Sequence, residues 1–178
     1  MDGPPPDLIA SAVAGDRESF SRLLELQYDF ILRAAWKWTR HQEDAEDVAQ
    51  EVCIRLARSI STFRGPGRFT TWLYALVLNV VRDLARKGKR EREKGAAWGV
   101  ETTMTRGASN PDLSEELWRA VDGLPDKQRD VVILVHSEGL THAQAADVLG
   151  LAETTISWHL HEARKSLKSF LNPEAVHG

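Results

Sequence analysis

Residues that build covalent, metal or membrane-bound sites are scarce in this sequence. Cys53 is the one cysteine, which excludes an intrachain disulfide and any zinc site made of several cysteines, and suits a reducing compartment. The longest apolar stretch, residues 73–81, contains Asn79 and is far shorter than the ~20 residues that cross a membrane. The first residues show neither the basic start nor the apolar core of a secretion signal. We therefore expect a cytoplasmic protein that does not insert into membranes.

Patterns typical of enzymes and of β-sheets are also missing. The chain has no HExxH spacing and no glycine-rich phosphate-binding loop. His159 and His161 stand beside Glu162, but side chains two positions apart on a helix diverge, so they do not predict a metal site. No run of alternating β-branched residues predicts a strand. We expect no catalytic residue, no metal and no cofactor, and we interpret Cys53 as a small core residue.

Charge is distributed unevenly along the chain. Residues 1–94 hold 16 basic and 14 acidic residues, whereas residues 95–178 hold 7 basic and 12 acidic ones. Within the first half, five acids lie between positions 43 and 51, and residues 82–94 hold seven basic and three acidic residues. A local basic stripe of this kind is typical of nucleic-acid binders. The second half has no comparable stripe, which counts against a simple DNA-binding interpretation of it.

Apolar residues recur at helical spacing on both sides of a segment rich in Gly, Ser and Thr. We predict an all-α fold of two small helical domains joined by a flexible linker, the second domain containing a helix-turn-helix. The first domain covers residues 7–94, the linker 95–111 and the second domain 112–171. Helices are expected near residues 7–14, 16–40, 43–61, 70–92, 112–122, 126–137, 141–149 and 153–171.

An acidic face is predicted on the third helix. Asp44, Asp47, Gln50 and Glu51 share roughly one third of its circumference, and Ile54 falls on the same side. One interpretation is a solvated face, because acids near a helix N-terminus favour the macrodipole. Five acids within nine residues exceed what a helix start requires, however, so a basic protein partner remains the second interpretation.

A stripe of aromatic, amide and basic residues is predicted where the fourth helix begins, with Thr70 or Thr71 as its cap. Rings stack on unpaired bases, amides read base edges and guanidinium groups neutralise phosphates. The alternative is that Trp72 and Phe69 fill the core and the basic run is solvated. We favour contact with an unpaired DNA strand through Phe63, Arg64, Arg68, Phe69, Trp72, Asn79, Arg82 and Arg86.

A short helix, a glycine turn and a second helix follow one another in residues 141–171. Thr141 and Gln144 have the spacing of a capping box, and Gly150 can supply the left-handed turn. This succession predicts a helix-turn-helix whose second helix enters the major groove. The outward residues that we expect to contact DNA are Thr154, Thr155, Ser157, Trp158, His161, Glu162, Arg164 and Lys165.

Three segments in this order resemble the extracytoplasmic-function (ECF) group of the sigma-70 family of bacterial RNA polymerase sigma factors. The first is DAEDVAQEV at 44–52, and the second is FRG at 63–65 followed by FTTWLY at 69–74. The third is LPDKQRDV at 124–131, continued by residues 138–167. Each motif alone is weak, whereas all three in this order across a linker form a specific match.

The resemblance implies a non-enzymatic protein with core RNA polymerase, promoter DNA and an anti-sigma factor as partners. From the resemblance we expect the acidic helix to dock on the clamp helices of the largest polymerase subunit, with the flap of the second largest subunit as a further contact. We likewise expect the stripe at 63–74, with Asn79, Asp83 and Arg86, to capture a base extruded from the −10 element, and the second domain to read the −35 element.

The second domain departs from the family pattern at the start of its last helix. Ser157, Trp158, His159 and Glu162 stand where the family usually carries basic or small residues. The acidic excess predicts weak attraction to phosphates, although a glutamate can accept a hydrogen bond from cytosine N4. Two alternatives stay open. A sigma mimic that sequesters an anti-sigma factor suits the acidic second half, and a plain helix-turn-helix regulator leaves the acidic helix unexplained.

Overall fold

Eight α-helices make up most of the computed structural model, which describes residues 3–65, 68–96 and 115–171. They belong to two compact units, Met1–Gly107 (unit 1) and Ala108–Gly178 (unit 2). The prediction of an all-α fold with two small helical domains is confirmed. The helices are α1 Pro6–Val13, α2 Arg17–Thr39, α3 Gln42–Ser59, α4 Phe69–Ala96, α5 Glu115–Asp122, α6 Asp126–Val132, α7 His142–Leu149 and α8 Glu153–Leu171.

Unit 1 is organised around α2, which packs against α1, α3 and α4. Asp16 begins α2, since its carboxylate accepts a hydrogen bond from the Ser19 N–H at 2.8 Å. The side-chain hydrogen bond with Ser19, followed by the bond from its backbone N–H, lowers the pKa of Asp16. Arg40 ends the helix in the left-handed conformation, with φ 58°. Its guanidinium lies 4.1 Å from the Trp36 ring centroid, a cation–π contact that offsets part of the backbone strain. This turn sets the direction in which α3 leaves.

The buried side of α3 matches the apolar arc expected from its sequence. It packs against α2 and α4, so its acidic side is left facing solvent. A 3₁₀ turn, Ile60–Thr62, follows α3, whereas the sequence predicted that the helix continues to residue 61. The buried residues of this arc are Ala45, Val48, Ala49, Val52, Leu56 and Ile60.

The fourth helix begins earlier and ends later than predicted. It starts at Phe69, so Thr70 and Thr71 lie inside its first turn and the prediction that either caps it is wrong. Arg68 precedes the helix, and its carbonyl accepts the first hydrogen bonds, from the Thr71 and Trp72 N–H groups. The helix continues through Ala96, into the first two residues of the predicted linker, and its 28 residues span about 42 Å. The rest of that linker, 97–111, lies outside the described residues.

Unit 2 contains the predicted helix-turn-helix. The capping box of α7 is present, with Thr141 Oγ1 accepting from the Gln144 N–H and Gln144 Oε1 accepting from the Thr141 N–H. Gly150 ends α7 with φ 64°, and α8 begins three residues later. Ala145, Ala146 and Leu149 are buried, as are Ile156, Leu160 and Ala163 of α8. The local signals in the sequence therefore place both helices of this motif correctly.

Two further differences concern helix bounds in unit 2. Residues 126–137 were predicted as one helix, but only Asp126–Val132 is α-helical and Ile133–Ser137 forms a π-helical turn. The Glu138 N–H donates to the Ile133 carbonyl, five residues back. The predicted start at 112 cannot be compared, since the structure describes unit 2 from residue 115 onward. Among the described helices, none combines the length and apolar character that a membrane span requires.

Candidate nucleic-acid and partner interfaces

The acidic face of α3 is presented to solvent as one continuous surface. Asp44, Asp47 and Gln50 are exposed, and Glu51 is half-buried. Ile54 follows them at the C-terminal end of this face with 47% of its surface accessible, a high exposure for a large aliphatic side chain. An exposed apolar side chain next to charged ones is typical of a protein-binding surface. The geometry therefore favours a partner with a basic rim over a merely solvated helix.

An ionic network joins this face to α4. Arg55 Nε donates to Glu51 Oε1 at 2.8 Å, and Arg55 Nη1 donates to Asp83 Oδ2 at 2.6 Å. Asp83 Oδ1 also accepts from Arg86 Nη2 at 3.2 Å. The hydrogen bond to Asp83, followed by that to Glu51, raises the pKa of Arg55. The network therefore links Glu51 of α3, a predicted partner-binding residue, to Arg86 of α4, a predicted DNA-binding residue, through Arg55 and Asp83.

Sequence reasoning did not identify Arg55 as a connecting residue. Its spacing from Glu51, four positions along α3, was an available signal for the first half of the network. Asp83 is 28 positions away, so only the packing of α3 against α4 reveals the second half.

Three aromatic rings cluster where α4 begins. The ring centroids of Phe63, Phe69 and Trp72 lie 5.4–5.7 Å apart in all three pairs. Phe69 is only 5% exposed and packs against the other two rings from the core side, whereas Phe63 and Trp72 are half-buried. Phe69 therefore belongs to the core, as the alternative interpretation expected, whereas Phe63 and Trp72 retain accessible surface.

The predicted polar and basic residues of this stripe differ in exposure and partners. Arg64, Arg68, Asn79 and Arg86 are exposed, whereas Arg82 is half-buried. Arg64 Nη1 donates to the Ser61 carbonyl at 2.6 Å, which holds its guanidinium at the 3₁₀ turn Ile60–Thr62. Arg86 is held by Asp83, as described above, and its Nε donates to the Arg82 carbonyl at 3.3 Å. The stripe combines exposed cations with two accessible rings, the chemistry that an unpaired strand requires.

The outward face of α8 contains most of the residues predicted to contact DNA. Thr154, Ser157, Trp158, His161, Arg164 and Lys165 are exposed, whereas Thr155 and Glu162 are half-buried. Trp158 has 57% of its surface accessible and its ring centroid lies 4.9 Å from that of His159. The opposite side of α8 consists of buried residues, Ile156, Leu160 and Ala163. The face that a major groove would meet is therefore aromatic and polar, with its cations toward the C-terminal end.

His142 adds a contact that the sequence did not predict. Its Nδ1 lies 3.1 Å from Ser157 Oγ, so it connects the first helix of the helix-turn-helix to the reading face of the second. Ser157 Oγ also lies 3.1 Å from the Glu153 carbonyl, to which it donates. Because a hydroxyl has one proton, Ser157 then accepts from a His142 that carries its proton on Nδ1. No pattern in the sequence indicates a contact across 15 positions.

The described residues do not form a candidate metal site, and their one cysteine is not activated as a nucleophile. In the three described ranges, no group of three or more His, Cys, Asp or Glu side chains could hold a metal ion. Cys53 is half-buried, and burial raises the pKa of its thiol. A raised pKa disfavours the reactive thiolate.

Comparisons with known proteins divide the chain in the same two parts. The family described as Sigma-70 region 2 matches residues 23–91, and the family described as Sigma-70, region 4 matches residues 114–167. Together they cover all of α3, α5, α6 and α7 and most of α2, α4 and α8. Helix α1 lies outside both matches.

Curated relatives and a solved structure show the same similarity over most of the chain. The ECF RNA polymerase sigma factor SigM of Mycobacterium tuberculosis is 30% identical over 165 residues, which cover 93% of this chain and 83% of the relative. SigE of Mycolicibacterium smegmatis is 29% identical over 86% of this chain, which spans only 62% of that longer protein. The sigma factor RpoE of Bartonella quintana, solved with the anti-sigma factor NepR, has a TM-score of 0.71 at 23% identity, covering 88% of this chain and 99% of that one.

Proposed function

The chain belongs to the ECF group of RNA polymerase sigma factors, and on that premise we propose that it binds core RNA polymerase and directs promoter-specific transcription initiation. Residues 7–94 bind the core enzyme and the −10 element, residues 112–171 bind the −35 element, and residues 95–111 connect them. The protein acts in the cytoplasm, where transcription takes place, and contributes binding rather than catalysis.

One observation carries this proposal. Unit 1 presents two surfaces of opposite chemistry, the exposed carboxylates around Ile54 on α3 and the cations and rings at the start of α4. DNA repels the first surface and attracts the second, so they require different partners. A plain helix-turn-helix regulator needs only DNA and gives the acidic face no role. A sigma factor needs both a protein and a DNA partner on this small unit.

The core enzyme binds the acidic face of α3. Ile54 supplies an apolar contact at the C-terminal end of this face, and the carboxylates and amide that precede it supply attraction and orientation for basic side chains. The residues we assign to this surface are Asp44, Asp47, Gln50, Glu51 and Ile54.

The unpaired −10 strand binds at the start of α4. Phe63 and Trp72 offer partly accessible rings, and Phe69 holds them in place from the core. Stacking and hydrogen bonds in this region offset the cost of unpairing bases, which is a few kcal/mol. Arg64, Arg68, Asn79, Arg82 and Arg86 complete this surface.

The −35 duplex binds the outward face of α8. The exposed residues of this face are centred on Trp158 and His161. Packing of the buried side of α8 and the turn at Gly150 fix the orientation of the helix. Arg164 and Lys165 lie further along and can meet phosphates. An anti-sigma factor completes the partners, as in the complex of the Bartonella relative.

In vitro transcription tests the proposal directly. The purified chain is mixed with sigma-free core RNA polymerase and fragmented genomic DNA of its source organism, and the 5′ ends of the transcripts are sequenced. We expect start sites that share two spaced sequence elements. Core polymerase without the chain is the control and should give no such set.

The other outcomes separate the alternatives. Core binding without initiation would favour either the sigma mimic, whose role is to sequester an anti-sigma factor, or a second domain too acidic to hold the −35 element unaided. Sequence-specific DNA binding without core binding would favour a plain helix-turn-helix regulator. Either result would contradict the proposed function.

A further inference from the structure

Ser157 lies in the middle of the exposed face of α8. Thr154 stands three positions before it and His161 four positions after it, so both are its neighbours on the helix surface. All three side chains are exposed. A base edge in a major groove that meets this face therefore comes within reach of the Ser157 hydroxyl.

Two hydrogen bonds determine the direction of this hydroxyl. Ser157 Oγ lies 3.1 Å from the Glu153 carbonyl and 3.1 Å from His142 Nδ1. A carbonyl can only accept, so the single hydroxyl proton is donated to Glu153. His142 then donates from Nδ1 and occupies one of the two lone pairs on the oxygen. The oxygen retains one free lone pair and no free proton, so toward DNA it can accept but not donate.

The bond from His142 is what holds the serine in this state. Without it, only the bond to the Glu153 carbonyl remains, and that carbonyl also accepts from the backbone N–H four residues along the helix. Serine has three staggered rotamers, so the released side chain can turn and donate its proton to a base instead. His142 is half-buried at the start of α7, on a different helix, and therefore restrains Ser157 from outside α8.

We propose that His142 is a specificity-determining residue of the −35 contact, because it positions the Ser157 hydroxyl as an acceptor. This inference rests on the proposed function. In the major groove, adenine N6 and cytosine N4 present amino donors, whereas guanine N7 and O6 and thymine O4 present acceptors. The pair of His142 and Ser157 selects a base with an amino group at one position of the −35 element.

Methylated bases test the contact with Ser157. Holoenzyme assembled with the full chain is titrated with fluorescently labelled duplexes of the −35 element that the transcription assay identifies. N6-methyladenine or N4-methylcytosine replaces each adenine or cytosine in turn, which removes the amino hydrogen that faces the groove. We expect one position at which this change weakens wild-type binding about fivefold, the effect of one hydrogen bond. Ser157→Ala should lose the sensitivity at that position.

Variants of His142 separate positioning from a general structural role. In His142→Ala the sensitivity at that position should fall below about twofold, because the serine is released. His142→Asn should keep it, since the amide nitrogen of asparagine is bonded to Cγ, as Nδ1 is in histidine, and also donates. His136→Ala removes another imidazole of unit 2, at an exposed position, and is the matched control that should behave like wild type. Combining His142→Ala with Ser157→Ala should add nothing to Ser157→Ala alone.

Four results would overturn the inference. They are a wild-type response at no methylated position, wild-type sensitivity in His142→Ala, loss of sensitivity in His142→Asn, and equal loss in His136→Ala. Initiation by the wild-type chain is measured separately on the same promoter. If initiation is normal, each of these results rejects only the role of His142. If the wild-type chain does not initiate at all, the proposed function fails and this inference fails with it.

Discussion

Unit 1 and unit 2 present their proposed partners with different kinds of surface. Unit 1 combines an acidic face on α3 with a basic and aromatic stripe on α4, and Arg55 joins the two. Unit 2 presents one face on α8, in which aromatic, hydroxyl and imidazole groups precede the cations. The sequence halves differ in the same sense, with 16 basic and 14 acidic residues against 7 and 12. We infer that attraction to phosphates resides mainly in unit 1, whereas unit 2 depends on contacts with bases.

The largest effect is expected from charge reversal on α3. Asp47→Lys puts a cation where the proposed partner is basic, and like charges in an interface cost several kcal/mol, so core affinity should fall about 100-fold or more. Fluorescence titration of labelled core polymerase measures this. Asp29→Lys, an exposed acid on α2, is the matched control and should have little effect. An equal fall in both variants would show that net charge, rather than the α3 face, determines binding.

A change on α8 should affect promoter choice without affecting core binding. Trp158→Ala removes an exposed ring from the reading face, and base contacts contribute about 1–3 kcal/mol, so transcription should fall about tenfold or more. The effect should disappear on templates whose −35 element has been scrambled. Phe170→Ala removes another exposed ring from the same helix, 55% accessible, and should leave transcription unchanged. Sensitivity to Trp158→Ala on scrambled templates would contradict base reading.

Salt dependence tests the electrostatic part of the comparison. Lys87 and Arg90 are exposed on the C-terminal half of α4. Replacing both with glutamine should reduce the slope of log affinity against log salt by about 0.9 for each phosphate that the protein no longer neutralises. Holoenzyme binding to duplex promoter DNA between low and moderate salt gives the slope. The variant Arg17→Gln with Arg22→Gln removes two exposed cations from α2 and should keep the wild-type slope.

The smallest effect concerns the independence of the two units. Thr141→Ala removes the side-chain acceptor of the α7 capping box, and loss of such a cap costs about 1 kcal/mol. Amide hydrogen exchange should become about fivefold faster in α7 and stay unchanged in α2 and α3. Thr154→Ala, at an exposed position of α8, controls for loss of a threonine. Faster exchange in both units would show that they unfold together.

Most of the fold was predictable because the signals that define these helices are local. Apolar spacing identified the buried arc of α3, and Thr141, Gln144 and Gly150 marked the limits of α7. The errors concern helix ends, where several hydrogen-bonding patterns compete. Thr70 and Thr71 have good capping chemistry, yet α4 starts at Phe69, so both residues lie inside its first turn.

The site was predictable as a set of faces but not as a set of contacts. Periodicity placed Asp44, Asp47 and Ile54 on one exposed side of α3, and the structure agrees. It did not show that Phe69 is buried while Phe63 and Trp72 stay partly accessible. All three are aromatic residues near one helix start, and their depth depends on what packs against them.

The sequence by itself determined the helices, their buried sides and the order of the three family motifs, because each depends on residues within a few positions of one another. Tertiary structure alone decided which distant residues meet. Arg55 contacts Asp83, 28 positions away, and His142 contacts Ser157, 15 positions away. Residues of α1 and Phe63 line the same cavity. Helical spacing repeats every 3.6 residues and has no information on such distances. These contacts form only when burial of the apolar sides brings the helices together.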